Sequence, residues 1–423
     1  MYISRALEPI VLKYSRYFKV IVVTGSRQVG KTTMLKHLMK EEKECGVIRN
    51  YVTLDNTALR LAAKEDPALF LQRYQPPILI DEIQYAPELL PYIKIMVDSS
   101  EAKGAFWLTG SQPFHLMKNV SESLAGRAGI VEMFGFSHAE LSGVATEPFT
   151  LDQDYFIKRV STAKKQNATE VFSGIAKGSF PEIVLSEDNM EASMFDSLLR
   201  TYLMRDVRDL AQVGDELRFR RFVAACASLT AKPVVYSELA RLADIDEKTA
   251  KIWLSILVGS YLVKIVQPYS NNLLKRLSKQ PVMYFMDTGL CAYLTGWSNP
   301  ETLALGAMGG QIFETYAFGE IYKSFLNSGS PAPLYFFRSN DKKEIDLLLE
   351  QNGVLYPIEL KKSASPVSYD TRNFNALDPL AADDISYELQ THKREIGCGC
   401  IVCMADDTYP VNARAWALPV WAI

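Results

Sequence analysis

A chain of 423 residues with 48% hydrophobic and 22% charged residues has material for two to three cored domains. Its formal net charge of -3 excludes a bulk electrostatic drive toward nucleic acid, so any such binding needs a local basic patch. Six scattered Cys and no apolar run near the ~18 residues that span a bilayer exclude a disulfide scaffold and a membrane helix.

Val20–Val23 is too short for the apolar core of a signal peptide and runs straight into a Gly-rich loop. Reduced thiols and a soluble composition point to the cytoplasm. Cys398, Cys400 and Cys403 cluster in an apolar run, but the four His, at 37, 115, 138 and 392, supply no second ligand pair of matching spacing. A buried strand rich in small residues is the expectation there.

The first 145 residues alternate strand and helix. Val20–Val23, Tyr51–Leu54, Ile78–Ile80, Ala105–Thr109 and Ile130–Phe134 are short apolar runs of the kind buried on both faces of a parallel sheet. A helix is predicted from Thr32 to Lys43. Strands alternating with helices imply right-handed crossovers and a doubly wound α/β sheet. A helical connector is expected over 146–215, with a loop at Gly178–Glu182.

Residues 216–304 read as a small helical unit. One helix begins at Val235 with Ser237 as N-cap, a second begins at Asp246, and a strand follows at Leu262–Val266. That outline is a winged helix-turn-helix. From 305 to 423 the chain is α/β again. A helix over Gln311–Phe325 carries Phe313, Ala317, Ile321 and Phe325 on one face. Strands are predicted near Leu334–Phe337, Ile345–Leu349 and Leu355–Leu360.

Gly25-Ser26-Arg27-Gln28-Val29-Gly30-Lys31-Thr32, followed by Thr33, fits G-x-x-x-x-G-K-[ST] between a strand and a helix. Such a P-loop turns backbone N–H groups inward as an anion nest, and the helix N-terminus adds a positive dipole. Lys31 is expected at the β- and γ-phosphates of ATP and the Thr32 hydroxyl on Mg²⁺. Asp81 and Glu82 end the third strand, where open α/β sheets bind ligands. Asp81 is the candidate to hold Mg²⁺ through its water shell, and Glu82 to orient or deprotonate the attacking water.

Ser111 and Gln112 end the next strand, within reach of a γ-phosphate, although Ser111 could equally be a helix N-cap. Arg127 is a candidate arginine finger, in cis or from a neighbouring subunit, or else a surface Arg. Arg205 and Arg208 are its rivals, on one helical face.

The loop Gly25–Thr32, with Asp81-Glu82-Ile-Gln84, Thr109-Gly-Ser-Gln112 and Ser123-Leu-Ala-Gly-Arg127, resembles the predicted AAA+ superfamily ATPases of bacteria and archaea. Those proteins carry a C-terminal region of unknown function. Gly178-Ser-Phe-Pro-Glu182 and Tyr202-Leu-Met-Arg-Asp206 look like recurring signatures of that region. The resemblance covers almost the whole chain. It implies ATP binding and hydrolysis, suggests a homo-oligomeric ring, and names no substrate.

In the winged-helix reading, Glu247, Lys248, Thr249 and Lys251 face a groove, and Lys275, Arg276 and Lys279 add basic charge near a wing. Asp244, Asp246 and Glu247 crowd the same turn, and such units also serve as protein-interaction or lid modules. DNA and a protein partner therefore both stand as candidates.

In the last segment, Glu359 and Lys361 share one strand face, with Ile358 and Leu360 on the other. Asp346 begins the adjacent strand, with Ile345, Leu347 and Leu349 toward the core. Two carboxylates can hold a divalent metal through oxygen, and a neighbouring Lys can position a water or steady transition-state charge. Glu314 lies on the preceding helix. This arrangement resembles the PD-(D/E)XK nuclease fold, with Glu314, Asp346 and Glu359 as metal ligands and Lys361 beside them. Glu344-Ile-Asp346 replaces the usual Pro-Asp pair. Three functions follow as alternatives: an ATPase that changes conformation on DNA, a nucleotide-gated signalling switch for a protein partner, and an ATP-regulated metal-dependent nuclease.

Overall fold

Valines 20, 22 and 23 and Ile21 make β1 (Val20–Gly25), a strand with no polar face, and it is an inner strand of a five-stranded parallel sheet. The computed structural model describes residues 2–111, 122–187, 190–200, 216–270, 280–339, 341, 343–381 and 394–423. Strands β2 (Asn50–Thr53), β3 (Ile78–Asp81), β4 (Phe106–Gly110) and β5 (Ala128–Met133) complete the sheet in the order β2-β3-β4-β1-β5. All pairings in it are parallel, so crossover helices must cover both faces.

The period of two along β1 assigns the faces. Val20 and Val22 pack with Ile78, Ile80, Leu90 and Ile93 in a core of their own. Ile21 and Val23 face the other way, into a cluster that includes Met34, Leu38, Phe180, Trp253, Phe318 and Ile423. That second core does not break at 145, 215 or 304. It draws residues from both sides of each of those positions and takes in Ile423.

Two helices, Tyr236–Ala243 and Glu247–Gly259, meet at a tight turn and rest on an antiparallel sheet of β6 (Lys232–Pro233), β7 (Val263–Val266) and β8 (Val282–Phe285), in the order β6-β8-β7. The first helix is capped by Val235, which offers no side-chain bond, and Ser237 lies inside it. Asp246 caps the second, accepting the Thr249 N–H at 2.9 Å and its hydroxyl at 2.6 Å.

The remaining sheet has seven strands: β9 (Leu334–Arg338), β10 (Glu344–Gln351), β11 (Val354–Leu360), β12 (Glu395–Ile396), β13 (Gly399–Cys403), β14 (Tyr409–Asn412) and β15 (Ala415–Pro419). The path is β14-β15-β13-β11-β10-β9, with β12 also against β11. Cys400 and Cys403 are buried within β13, as a small-residue strand requires. The faces of β10 differ from simple alternation. Its pairing with β9 is irregular between Ile345 and Leu348, so Ile345 joins Leu348 in one cluster while Leu347 and Leu349 join another.

The helix Gly309–Asn327 is buried around most of its circumference, wider than the single face its four-residue spacing suggests. Charged side chains bond it to the segment that follows β5. Lys323 donates to the Phe136 carbonyl at 2.8 Å and to Glu320 at 2.6 Å, and Glu320 accepts the His138 N–H at 2.8 Å. Among the described residues no helix is long and apolar enough to cross a membrane.

Arg5 ties the amino end into the same framework. Its guanidinium donates to Glu140 at 3.0 Å, to the Val29 carbonyl at 2.9 Å and to the Phe134 carbonyl at 2.8 Å, and Arg5 and Glu140 are both buried. Glu140 also accepts the Ala6 and Ser137 N–H groups. Removing one member of such a pair strands the other charge in the interior. Arg5→Ala should therefore lower the unfolding free energy by about 3–5 kcal/mol, read from chemical denaturation. A loss within about 0.5 kcal/mol, the level of an ordinary surface substitution, would show that water replaces the guanidinium.

Candidate functional site

The loop between β1 and the helix Lys31–Glu44 is shaped by what each position tolerates. Gly25 has φ +149°, and a Cβ there would lie 2.0 Å from the Met133 carbonyl oxygen, so no side chain fits. Gly30 caps the helix with φ +92°, a left-handed conformation that leaves its first N–H groups facing the loop. Arg5 holds the crest from behind through Val29.

Lys31 is buried, and its ammonium donates to the carbonyls of Gly25 at 3.0 Å and Ser26 at 2.6 Å. The loop thus closes around a cation, and a polyphosphate arriving at the nest would find that ammonium already in place.

Asp81, at the end of β3, gathers three hydroxyls. Its Oδ1 accepts Thr32 at 2.6 Å and Thr109 at 2.5 Å, and its Oδ2 accepts Tyr51 at 3.2 Å. Strands β2, β3 and β4 and the loop helix therefore meet on one carboxylate. The Thr32 hydroxyl and Asp81 are hard oxygen donors side by side at the phosphate nest, a donor set that fits Mg²⁺.

Glu82 follows with φ +59°, in the left-handed region, which turns its side chain out of line with the strand. Its backbone N–H donates to Thr109 at 3.0 Å. Its carboxylate accepts the Ser111 hydroxyl at 2.9 Å, the Ser111 N–H at 3.3 Å and the Gln84 amide. Ser111 thus holds Glu82; the helix it was expected to cap would begin in 112–121, outside the described residues. Gln112, Arg205 and Arg208 lie outside the described residues, as do Lys275, Arg276 and Lys279.

Arg127 is placed away from this site. It precedes β5, and β5 starts level with Val20, at the end of the sheet opposite Gly25. Its guanidinium grips Asp98 at 2.5 and 3.0 Å. The cis alternative for Arg127 therefore fails on geometry. Thr109 and Gln84 stood in the motifs of the resemblance without a role of their own, and Tyr51 and Arg5 carried no site role in the sequence. Thr109 had a signal, a hydroxyl ending the apolar run Phe106–Leu108; the roles of the others depend on contacts that only folding brings about.

Residues 17–142 match the family model described as an AAA domain. Over that segment the chain is AAA-like, an ATPase-type domain. Residues 169–301 and 309–423 match two further family models, each described as a domain of unknown function (DUF8612 and DUF4143). Uncharacterized proteins of Mycobacterium tuberculosis and Mycobacterium bovis are each 28% identical over 349 residues, 82% of this chain and 71% of theirs. Among solved structures, a Walker-type ATPase of Pyrococcus abyssi is 14% identical at a TM-score of 0.41, covering 69% of this chain and 96% of its own. AMPPCP-bound DnaA from Aquifex aeolicus is 16% identical at a TM-score of 0.27, covering 59% and 86%.

The second cluster lies beyond the AAA-like domain, and there Lys361 bridges two of the expected acids, Asp346 and Glu359. The Lys361 ammonium bonds Glu359 at 2.6 Å and Asp346 at 3.3 Å, and the Leu360 N–H reaches Asp346 at 2.8 Å. Glu314 accepts the Tyr284 hydroxyl at 3.3 Å and stands in the field of Asp346, Lys361 and Glu359. Among the described residues no three His, Cys, Asp or Glu side chains already stand as a metal-binding set. Lys361 instead occupies the space between two of the carboxylates. Glu359 keeps one buried oxygen, Oε1, with no partner. The Glu314, Asp346 and Glu359 ligand set expected from the sequence is therefore not assembled as it stands, because Lys361 fills the gap between Asp346 and Glu359.

Burial, then the Asp346 charge, pushes the Glu359 carboxyl up to about 9, against the pull of Lys361. The same two causes raise Glu314 well above the carboxylate range. Both groups hold protons in the folded chain that the unfolded chain has released. Stability therefore falls as pH rises from the ordinary 4.5 toward about 9 for Glu359, and Glu314 acts in the same direction. The urea midpoint should decline across that window, and Asp346→Asn should flatten the decline. A midpoint that stays level would show these acids ionised throughout.

Proposed function

We propose that the protein is a Mg²⁺-dependent ATPase whose AAA-like domain drives rearrangement of the rest of the chain on a DNA target. The observation that carries the ATPase reading is the bond from Thr32 to Asp81, which joins the phosphate loop to the acid of the neighbouring strand end. Gly25 to Thr33 would cradle the phosphates, with Lys31 at the β- and γ-phosphates. Thr32 and Asp81 would hold Mg²⁺, which supplies charge neutralisation on the phosphate oxygens. Glu82, turned by its left-handed backbone and held by Ser111, orients the attacking water and takes its proton.

The unit after residue 215 is read as a winged helix. Lys248 and Lys251 are the candidate DNA contacts on its second helix. Thr249 is engaged with Asp246, and Asp244 pairs with Arg218 at 3.0 Å, which removes one acid from the charge opposing a phosphate backbone. A protein partner at the same surface, with nucleotide as the gate, is the alternative occupant. Assembly into a homo-oligomer belongs to the same reading.

A second reading is favoured by Lys361 between Asp346 and Glu359, the latter with an orphaned oxygen: a PD-(D/E)XK-like site that cuts DNA under ATPase control. There Asp346 and Glu359, with Glu314, would hold the divalent ion, and Lys361 would steady the attacking water.

Lys31→Ala should abolish binding of a fluorescent ATP analogue. Glu82→Gln should bind it normally and hydrolyse on the order of 10²–10⁴-fold more slowly, the range for removing a general base. Hydrolysis by Glu82→Gln at the wild-type rate would end the assignment. Cleavage of duplex, single-stranded and branched DNA with Mg²⁺ or Mn²⁺ should disappear in Asp346→Asn while ATP hydrolysis persists. No cleavage, together with salt-sensitive DNA binding, would leave the first reading and discard the second.

A further inference from the structure

The geometry points to Arg27 as the cation that meets the γ-phosphoryl group during hydrolysis, held by Tyr85 and Arg60 of the same chain. This rests on the ATPase reading and supplies what Arg127, gripped by Asp98 at the far end of the sheet, does not.

Arg27 is the third residue of the loop, just before the left-handed turn at Gln28 (φ +59°) that opens the anion nest. Its guanidinium donates to the Tyr85 hydroxyl at 3.4 Å. Tyr85 ends the short 3-10 turn Ile83–Tyr85 that follows Glu82 directly, so its ring is fixed beside the residue that handles water. The Arg60 guanidinium lies 4.1 Å from the centre of that ring and is anchored by a 2.8 Å bond to the Leu54 carbonyl, just past β2.

Three segments therefore converge on one tyrosine: the loop, the turn after β3 and the helix after β2. Asp55 registers the whole group. Burial and the charges of Glu82 and Asp81 raise its carboxyl, while Arg60 and Arg27 lower it. Two guanidiniums and three carboxylates thus share one field at the edge of the nest nearest Glu82.

The chemistry has a use for a second cation there. Water oxygen bonds to the γ-phosphorus as the bond to the β–γ bridging oxygen breaks, and that electron pair stays on ADP. The water proton passes to Glu82, and the products are ADP, phosphate and a proton. Charge builds on the bridging oxygen and spreads over the γ-oxygens. Lys31 is one point charge. A planar guanidinium adds paired N–H donors in a geometry that a Lys cannot copy. Arg27 is the catalytic residue in this scheme. Tyr85 is a positioning residue and acts through it, with Arg60 behind the ring.

The test compares wild type with Arg27→Ala, Arg27→Lys and Tyr85→Phe in the full chain. ATP turnover, affinity for a non-hydrolysable ATP analogue, and trapping of ADP with aluminium fluoride are measured across a range of protein concentrations. Arg27→Ala should bind the analogue within a few-fold of wild type, lose on the order of 10³-fold in kcat, as expected for an arginine finger, and fail to trap ADP with aluminium fluoride. Arg27→Lys should recover only part of the loss. Tyr85→Phe should lower kcat with little change in KM. Wild-type kcat per chain should not depend on protein concentration, because the cation comes from the same chain.

Wild-type kcat in Arg27→Ala would overturn the proposal. So would a kcat that rises with concentration in wild type and mutant alike, which would place the cation on a neighbouring chain. If wild type binds ATP without turnover, the ATPase reading falls on its own, and trapping in wild type but not in Arg27→Ala would still support the placement. No trapping in wild type would overturn it.

Discussion

Three hydroxyls on one buried carboxylate set the geometry of the nucleotide end of the molecule. Asp81 receives Thr32, Thr109 and Tyr51, and these come from the loop helix, β4 and β2. A carboxylate with these donors is stabilised in the interior, and each donor is fixed in return. The consequence is positional. The backbone turn at Glu82, the seat of Ser111 and the mouth of the phosphate loop are referenced to the same two oxygens.

Around that point the chain is arranged by alternation of faces. Because β1 is apolar at every position before Thr24, it needs cover on both sides. One side is covered locally, by helices between β2 and β4. The other draws on the rest of the chain, including Phe180, Trp253 and Phe318. The motif Gly178–Pro181 belongs to this cover: the Phe136 N–H bonds the Ser179 carbonyl at 2.8 Å, and Asp287 accepts the Ser179 N–H and hydroxyl at 2.7 Å each.

The five strands of the first sheet, the phosphate loop and the acidic pair were legible in the sequence because each rests on local pattern. An apolar run ending in a glycine loop or an acid needs no distant partner to be recognised. The pairing of Glu359 with Lys361 on one face of β11 was also legible, since strand alternation sets it. What escaped depends on sequence-distant contacts. Arg127 reads as a finger in cis until β5 is seen to begin beside it and Asp98 to hold it. Ser237 reads as a cap until the helix starts one residue earlier. The faces of β10 follow an irregularity that no period of two can announce. The boundaries near 145, 215 and 304 mark changes of local pattern, while the apolar interior passes through all three.

The helix Gly309–Asn327 has a mechanical meaning. Glu314 sits on it in the carboxylate cluster, and Glu320 and Lys323 sit on it in bonds to His138 and Phe136. At about 1.5 Å of rise per residue, Glu314 and Glu320 are only about 9 Å apart along the axis. A helix packed on most sides is stiff against bending and has no free face on which to roll. It behaves as a short strut. The Phe136–His138 segment and Glu314 are thus referenced to one rigid element.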